Sequence, residues 1–248
     1  MSEHIHGLNV LFRQSLPATG VTCRRRERGF KVPGTTLTSP GSVSFSPCWF
    51  NLAHKLSVSR SLRGWPSKPG VRYLRKDRDS LAILGAVLSL LHPRAAKQGL
   101  AIMEGIAKGT IKNEATNSLD QARLLWSSPF TAFSVISNRE TELHRDGKGF
   151  GPFYDLITTV GHYTGGRFEV PGIGLSFRYD PGTIMGLCGK VLGHSVAAVD
   201  GDRFCLVQFF HRKVLEGIHG DFAIHRGGSD WMRVKDFTDL CCDPGSYT

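Results

Sequence analysis

Between Phe130 and Phe210 the chain is cut into short β-prone runs at nearly even intervals, and this texture restricts the possible folds more than any other feature. The runs are Phe130–Ser137, Tyr154–Val160, Arg167–Val170, Leu175–Tyr179, Thr183–Cys188, His194–Val199 and Arg203–Phe210. They are punctuated by Gly165-Gly166, Pro171-Gly172, Pro181-Gly182 and Asp200-Gly201. Short strands joined by such turns bury their apolar faces by pairing antiparallel and packing sheet on sheet. An antiparallel sandwich or barrel is therefore expected.

Ahead of this region the pattern is helical. A charged stretch, Arg72–Asp79, leads into LAILGAVLSLL, stopped by Pro93, so a helix is predicted over Asp77–Leu91. A second is predicted over Arg94–Lys108, closed by Gly109, with Leu100, Ile102, Met103 and Ile106 as its apolar face. A third covers Ser118–Trp126, with Ser118 as cap. These helices read as a support layer for the sheet. Residues 1–47 hold Pro17, Pro33, Pro40, Pro47 and the basic run Arg24-Arg25-Arg26-Glu27-Arg28, with no sustained period of 2 or 3.6. They read as a flexible basic arm, the run serving as a nuclear address or as phosphate contacts. The expected division is an arm at 1–47, a helical support region at 48–128, a β core at 129–240 and a tail at 241–248.

Lysine and arginine total 31 against 21 acidic residues, a net charge of +10, which points to a polyanionic partner and makes nucleic acid the first choice. The longest apolar stretch is the 11 residues Leu81–Leu91, about half of the roughly 20 a bilayer span needs, so no membrane partner is expected. The start MSEHIHGLN is polar where a secretory signal needs an apolar core. The six cysteines include no C-x-x-C pair, which suits a reducing compartment and gives no basis for a cysteine zinc site.

Three features inside the β region fall at strand ends: His144-Arg145-Asp146, His194, and Arg203 nine residues beyond it. In an extended segment an H-x-D triplet projects imidazole and carboxylate to the same face, so both can grip one ion. A second histidine from a distant strand completes a facial set of two histidines and one carboxylate. That set suits non-haem Fe(II), leaving open positions for a co-substrate and dioxygen. Arg203 follows the turn at Asp200-Gly201-Asp202, on a strand that pairs back along His194–Val199. Its guanidinium would enter the same cavity, where a planar fork of donors binds a carboxylate such as the distal one of 2-oxoglutarate.

The stretch NRETELHRDGKGFGPFY at Asn138–Tyr154, with GGRFEVP at Gly165–Pro171, YDPGTIM at Tyr179–Met185 and GHSVAAVDGDRFCLVQFFHRK at Gly193–Lys213, resembles the TET/JBP family of Fe(II)/2-oxoglutarate dioxygenases. Within it the chain is similar to the expanded branch of mushroom-forming fungi. The resemblance is close over Pro129–Val214 and loose in the helical part. It implies an α+β fold with a double-stranded β-helix (jelly-roll) core and supporting N-terminal helices. It also implies Fe(II), 2-oxoglutarate and O2, and oxidation of 5-methylcytosine in duplex DNA by a nuclear, monomeric enzyme. N6-methyladenine is a second substrate to test.

Carried over by position, the resemblance makes His144, Asp146 and His194 the metal ligands, Arg203 the clamp on 2-oxoglutarate, and Arg139 a second co-substrate contact. Phe209 matches the position that stacks on a flipped base and His211 the one that hydrogen-bonds its Watson–Crick edge. Asn138 either contacts substrate or makes a turn. Arg145, Lys148, Arg167, Arg178, Arg212 and Lys213 are the expected phosphate contacts, with the salt dependence these bring. Two departures stand out. The cysteine-rich zinc region of animal members is absent, and Gly149 stands where some relatives place an acid that touches the base amino group. Rival readings are a prolyl-hydroxylase-like enzyme, an AlkB-like repair enzyme, and a transposon-derived DNA-binding relic without turnover.

Overall fold

In a computed structural model of the chain, the described residues are 29–31, 36–50, 56–62, 69–108, 125–147 and 149–218. Two antiparallel sheets face each other. The larger runs in the order β1 (Gly41–Phe45), β4 (Ala132–Ser137), β11 (Asp200–Phe209), β6 (Asp155–Thr164), β9 (Ile184–Leu187). The smaller runs β5 (Thr141–His144), β10 (His194–Val196), β7 (Arg167–Val170), β8 (Leu175–Arg178). A two-stranded hairpin, β2 (Trp49–Phe50) with β3 (Leu56–Ser57), stands apart. The fold is α+β with a double-stranded β-helix core, as the sequence led one to expect.

Alternation along the long strand β11 builds two cores, because successive side chains leave a strand on opposite faces. Phe204 and Leu206 are buried among Phe133, Val135, Leu74, Leu81, Leu84, Leu88, Ile102 and Ile106, between the larger sheet and the helices. On its other face β11 turns Cys205 and Val207 toward Ile157, Phe168, Val170, Tyr179, Leu187 and Val196, which fill the space between the two sheets.

The helical layer is α1 (Pro69–Lys76), α2 (Arg78–Leu91) and α3 (Pro93–Ala107). Pro69 occupies the first turn of α1, where no backbone donor is missed. Pro93 opens α3, and the N–H of Ala95, two residues on, is accepted by the His92 Nδ1 at 3.2 Å. The His92 Nε2, left to donate, lies 3.2 Å from the Pro152 carbonyl just ahead of β6. Gly99 packs against the segment leading into β4, where a Cβ would overlap the Pro129 carbonyl. The last described element is α4 (Arg212–Ile218). Among the described residues no helix is long and apolar enough to cross a membrane.

Two expectations are corrected. The span 1–47 is not an arm throughout: GSVSF at Gly41–Phe45 pairs along its whole length with β4, with Val43 and Phe45 buried. Phe30 bridges to Arg139, and the Lys31 ammonium donates to the Val199 and Gly201 carbonyls at 2.9 and 2.6 Å. Second, the charged stretch before Asp77 is itself a helix, α1, whose Val71, Tyr73 and Leu74 are buried. The basic run at Arg24–Arg28, Lys148, the tail at 241–248 and nearly all of the third predicted helix lie outside the described residues.

Candidate metal centre

His144 closes β5 and His194 opens β10, and the two are direct partners across that antiparallel pair. Their rings lie 4.4 Å apart. Asp146, two residues past His144, turns back between them, with its carboxylate oxygens 3.4 Å from the His144 Nε2 and 3.7 Å from the His194 Nε2. One ligand atom from each of the three falls within 4.8 Å of the others.

The ring tautomers suit a metal. The His144 Nδ1 lies 3.0 Å from the Glu142 carbonyl and 3.2 Å from that of His194, and the His194 Nδ1 lies 3.1 Å from the Leu192 carbonyl. A carbonyl only accepts, so each Nδ1 carries a proton, and in the neutral ring each Nε2 offers its lone pair to an ion; when protonated, His144 donates from Nε2 to Asp146 instead. Phe168 stacks on the His194 ring at 5.5 Å with the planes 5° apart, fixing its orientation.

Electrostatics point the same way. Burial alone would raise the Asp146 carboxyl, but the His144 hydrogen bond and the charges of His194, His144 and Arg139 outweigh it and hold the group below its usual range. Asp146 is therefore a ready anionic ligand. Its hydrogen bond to Asp146 raises the His144 ring above its ordinary value, against burial, while burial lowers that of His194. Gly189 closes the back of the site. Its carbonyl accepts the Asp146 N–H at 2.9 Å, and a Cβ there would overlap the Asp146 carboxylate.

Arg203 on β11 is buried on the side of the inter-sheet core, where Phe168 packs against His194. Its Nη2 donates to the Arg139 carbonyl, while its buried Nη1 has no hydrogen-bond partner among the described residues. The guanidinium lies 5.9 Å from the Tyr179 ring, whose hydroxyl is 3.7 Å from the Cys205 Sγ. A buried cation with one uncommitted donor edge is costly unless an anion completes it, which is what the distal carboxylate of 2-oxoglutarate would do. The donor set thus fits both iron and co-substrate.

The remaining expected residues divide. The Arg139 charge acts on Asp146, and its guanidinium sits 5.3 Å from the Phe30 ring. Phe209 ends β11 and His211 follows two residues on, their rings 6.4 Å apart, and His211 bridges to Gly149 beyond the metal loop. Asn138 directly follows β4. It is buried at φ 51°, and its Nδ2 donates to Thr38 and to the Asp202 carboxylate, while its Oδ1 accepts the Arg203 N–H at 2.9 Å. Its side-chain bonds go to Thr38, Asp202 and the Arg203 backbone, which favours the turn reading over substrate contact.

Three residues were not anticipated. Tyr179 joins Arg203 only through folding, although its place before a Pro-Gly turn marked a strand end. Asp155 is buried at the start of β6, and burial together with the charge of Asp146 drives its carboxyl well up. Its Oδ2 lies 3.4 Å from where a Gly149 Cβ would stand, so the acid missing at position 149 has a neighbour there. Trp49, from the hairpin, packs on His211 at 4.9 Å.

Residues 69–212, more than half of the chain, match the Tet_JBP family, the oxygenase domain of the 2OGFeDO superfamily. Among solved structures, one of NgTET1 in complex with 5mC DNA is similar with a TM-score of 0.52 and 14% identity, covering 90% of this chain and 77% of that one. An ectoine synthase from P. lautus is similar with a TM-score of 0.23 and 16% identity over 42% of this chain and 72% of that one, too low to inform the fold. No curated protein matches the chain.

Proposed function

We propose that this chain, which belongs to the Tet_JBP family of 2-oxoglutarate- and Fe(II)-dependent dioxygenases, oxidises the methyl group of 5-methylcytosine in duplex DNA. When bound at His144, Asp146 and His194, Fe(II) supplies the oxidation, with dioxygen and 2-oxoglutarate consumed as co-substrates. The chain's own residues position and select. Arg203 orients 2-oxoglutarate by its distal carboxylate, Asn138 holds the Arg203 backbone in place, and Gly189 keeps the Asp146 carboxylate directed at the ion.

The observation that carries the substrate reading is the order of side chains along one strand. Arg203, Cys205, Val207 and Phe209 alternate toward the cavity, and His211 follows, bridged to Gly149 three residues beyond Asp146. Co-substrate clamp, planar ring and hydrogen-bonding ring thus come in that order along one stretch of chain, while the metal ligands come from the smaller sheet. A methylated base reaches a buried metal only after leaving the helical stack, and an aromatic face beside a polar ring is what holds such a base. The net charge of +10, with Arg145 and Arg212 exposed beside these elements, suits the phosphate backbone. NgTET1, of similar fold, has been seen in complex with 5mC DNA.

The test is anaerobic reconstitution with Fe(II) and 2-oxoglutarate, then aerobic incubation with duplexes carrying 5-methylcytosine or N6-methyladenine, and mass spectrometry of the nucleosides. Hydroxymethylcytosine from the wild type, lost in His144→Ala and reduced in His211→Ala, supports the reading. Succinate without any oxidised base refutes the substrate. A nuclear site of action and a monomeric enzyme belong to the same proposal, checked by imaging of the tagged chain and by light scattering.

A further inference from the structure

The base-contact role of His211 depends on which way its imidazole points, and its backbone and ring are held by different means. The His211 N–H donates to the Thr131 Oγ1 at 2.8 Å, and its main chain bridges to Gly149. These bonds place the Cα and leave χ1 and χ2 undecided. Two aromatic neighbours flank the ring: Phe209, the last residue of β11, at 6.4 Å, and Trp49 from the β2–β3 hairpin at 4.9 Å with the planes 58° apart. Trp49 is the nearer. His211 is buried, only 4% exposed, whereas Trp49 is partly open to solvent.

The hairpin that carries Trp49 is fastened to the residue that holds His211. The Ser46 Oγ donates to the Thr131 carbonyl at 2.7 Å and accepts the Cys48 N–H at 3.0 Å. The Ser46 N–H in turn donates to the Ser59 Oγ at 3.1 Å, and the Ser59 N–H returns to the Ser46 carbonyl at 3.0 Å. Ser46, Ser59 and Thr131 are all buried, so these bonds are sheltered from water. Thr131 is thus the common anchor: its carbonyl fixes the approach to Trp49 and its hydroxyl fixes His211. Such an arrangement sets an indole against an imidazole with little freedom on either side.

We infer that Trp49 is the positioning residue for His211, and that its indole is the outer wall of the pocket for the extruded base. This rests on the base-oxidation reading above. It makes a segment far from the metal motif, and outside the span matched to the family, part of the substrate site.

The experiment compares wild type, Trp49→Leu and Trp49→Phe in the full chain, with kcat and KM for a methylated duplex, Fe(II) and 2-oxoglutarate affinity, and oxidised base formed per succinate. Leucine keeps much of the volume but offers no ring, and phenylalanine keeps a ring. Trp49→Leu should lower kcat/KM for the duplex about tenfold or more, since misplacement of a positioning group by ~1 Å has costs of that order or larger. It should also lower the oxidised base per succinate, with iron and co-substrate affinity within about twofold of wild type. Trp49→Phe should recover most of the loss. The inference is overturned if Trp49→Leu oxidises the duplex as wild type does. It is equally overturned if both variants lose metal and co-substrate binding in step with oxidation, for the hairpin then serves the fold alone. Wild type that forms succinate but no oxidised base overturns the proposed function and this role together, an outcome distinct from either of those.

Discussion

Gly189→Ala offers the sharpest test of how the metal site is held. A methyl group there would overlap the Asp146 carboxylate and stand 3.0 Å from the Asp155 Oδ2. The backbone cannot simply retreat, because the Gly189 carbonyl accepts the Asp146 N–H at 2.9 Å and its N–H serves the Asp155 carboxyl. Forcing one extra methyl into a packed site costs about 1–3 kcal/mol. Here the group that can yield is the Asp146 side chain, 34% exposed, rather than the buried Asp155. The strain should therefore appear mainly as a displaced ligand. Loss of a supporting contact to a metal ligand lowers affinity about 10–100-fold, which is roughly 1.4–2.7 kcal/mol. Calorimetric titration with Mn(II), a redox-inert stand-in for Fe(II), should show that loss, with Tm down by only a few degrees. A dissociation constant within about twofold of wild type would refute the claim that Gly189 sets the carboxylate.

Three further predictions follow from the same geometry. Arg203→Lys should weaken 2-oxoglutarate binding about tenfold or more, because it removes a forked charge-assisted contact of ~1.5–3 kcal/mol; fluorescence titration of the metal-loaded protein checks it, and unchanged affinity refutes the clamp. Asn138→Ala should destabilise the fold by ~1–3 kcal/mol through lost buried hydrogen bonds and raise KM for 2-oxoglutarate, while the preference among methylated bases stays put; a changed preference would restore it to the substrate site. Metal affinity should fall as the pH drops through the His144 pKa, which its hydrogen bond to Asp146 raises above the ordinary 6.5. The sign follows because the proton competes for the Nε2 that binds the ion. Mn(II) titrations from pH 8 to pH 5.5 would read the loss, and a flat profile would exclude His144 as a ligand.

Much of this site is visible in the sequence because its chemistry is local. The H-x-D triplet needs only the two-residue period of a strand, and Arg203 needs only a turn before it. The strand at Arg167–Val170 is legible to the residue, since glycine pairs and a Pro-Gly bound it. The strand Gly41–Phe45 is not, because its outward positions are serines flanked by prolines, a composition that reads as loop. What rescues it is tertiary: Val43 and Phe45 have a core to enter, and Ser44 shares a hydrogen bond with Ser134 on β4 at 2.7 Å. The role of Asn138 is hard to read for a related reason. Its neighbours in the metal motif suggest substrate, while its partners Thr38 and Asp202 lie far off in the chain. Trp49 has no signature at all near His211.

His144 and His194 face each other across a strand pair whose register is already irregular, shifting between His194 and Val196. Were that pair to slip by one residue, His194 would turn to the outer surface, since each step along a strand reverses the side. No ion could then be gripped by both rings. An ion held by both rings would therefore favour the one alignment that also keeps Phe168 against His194. Supplying the ion during refolding, rather than afterwards, should then raise the yield of active protein.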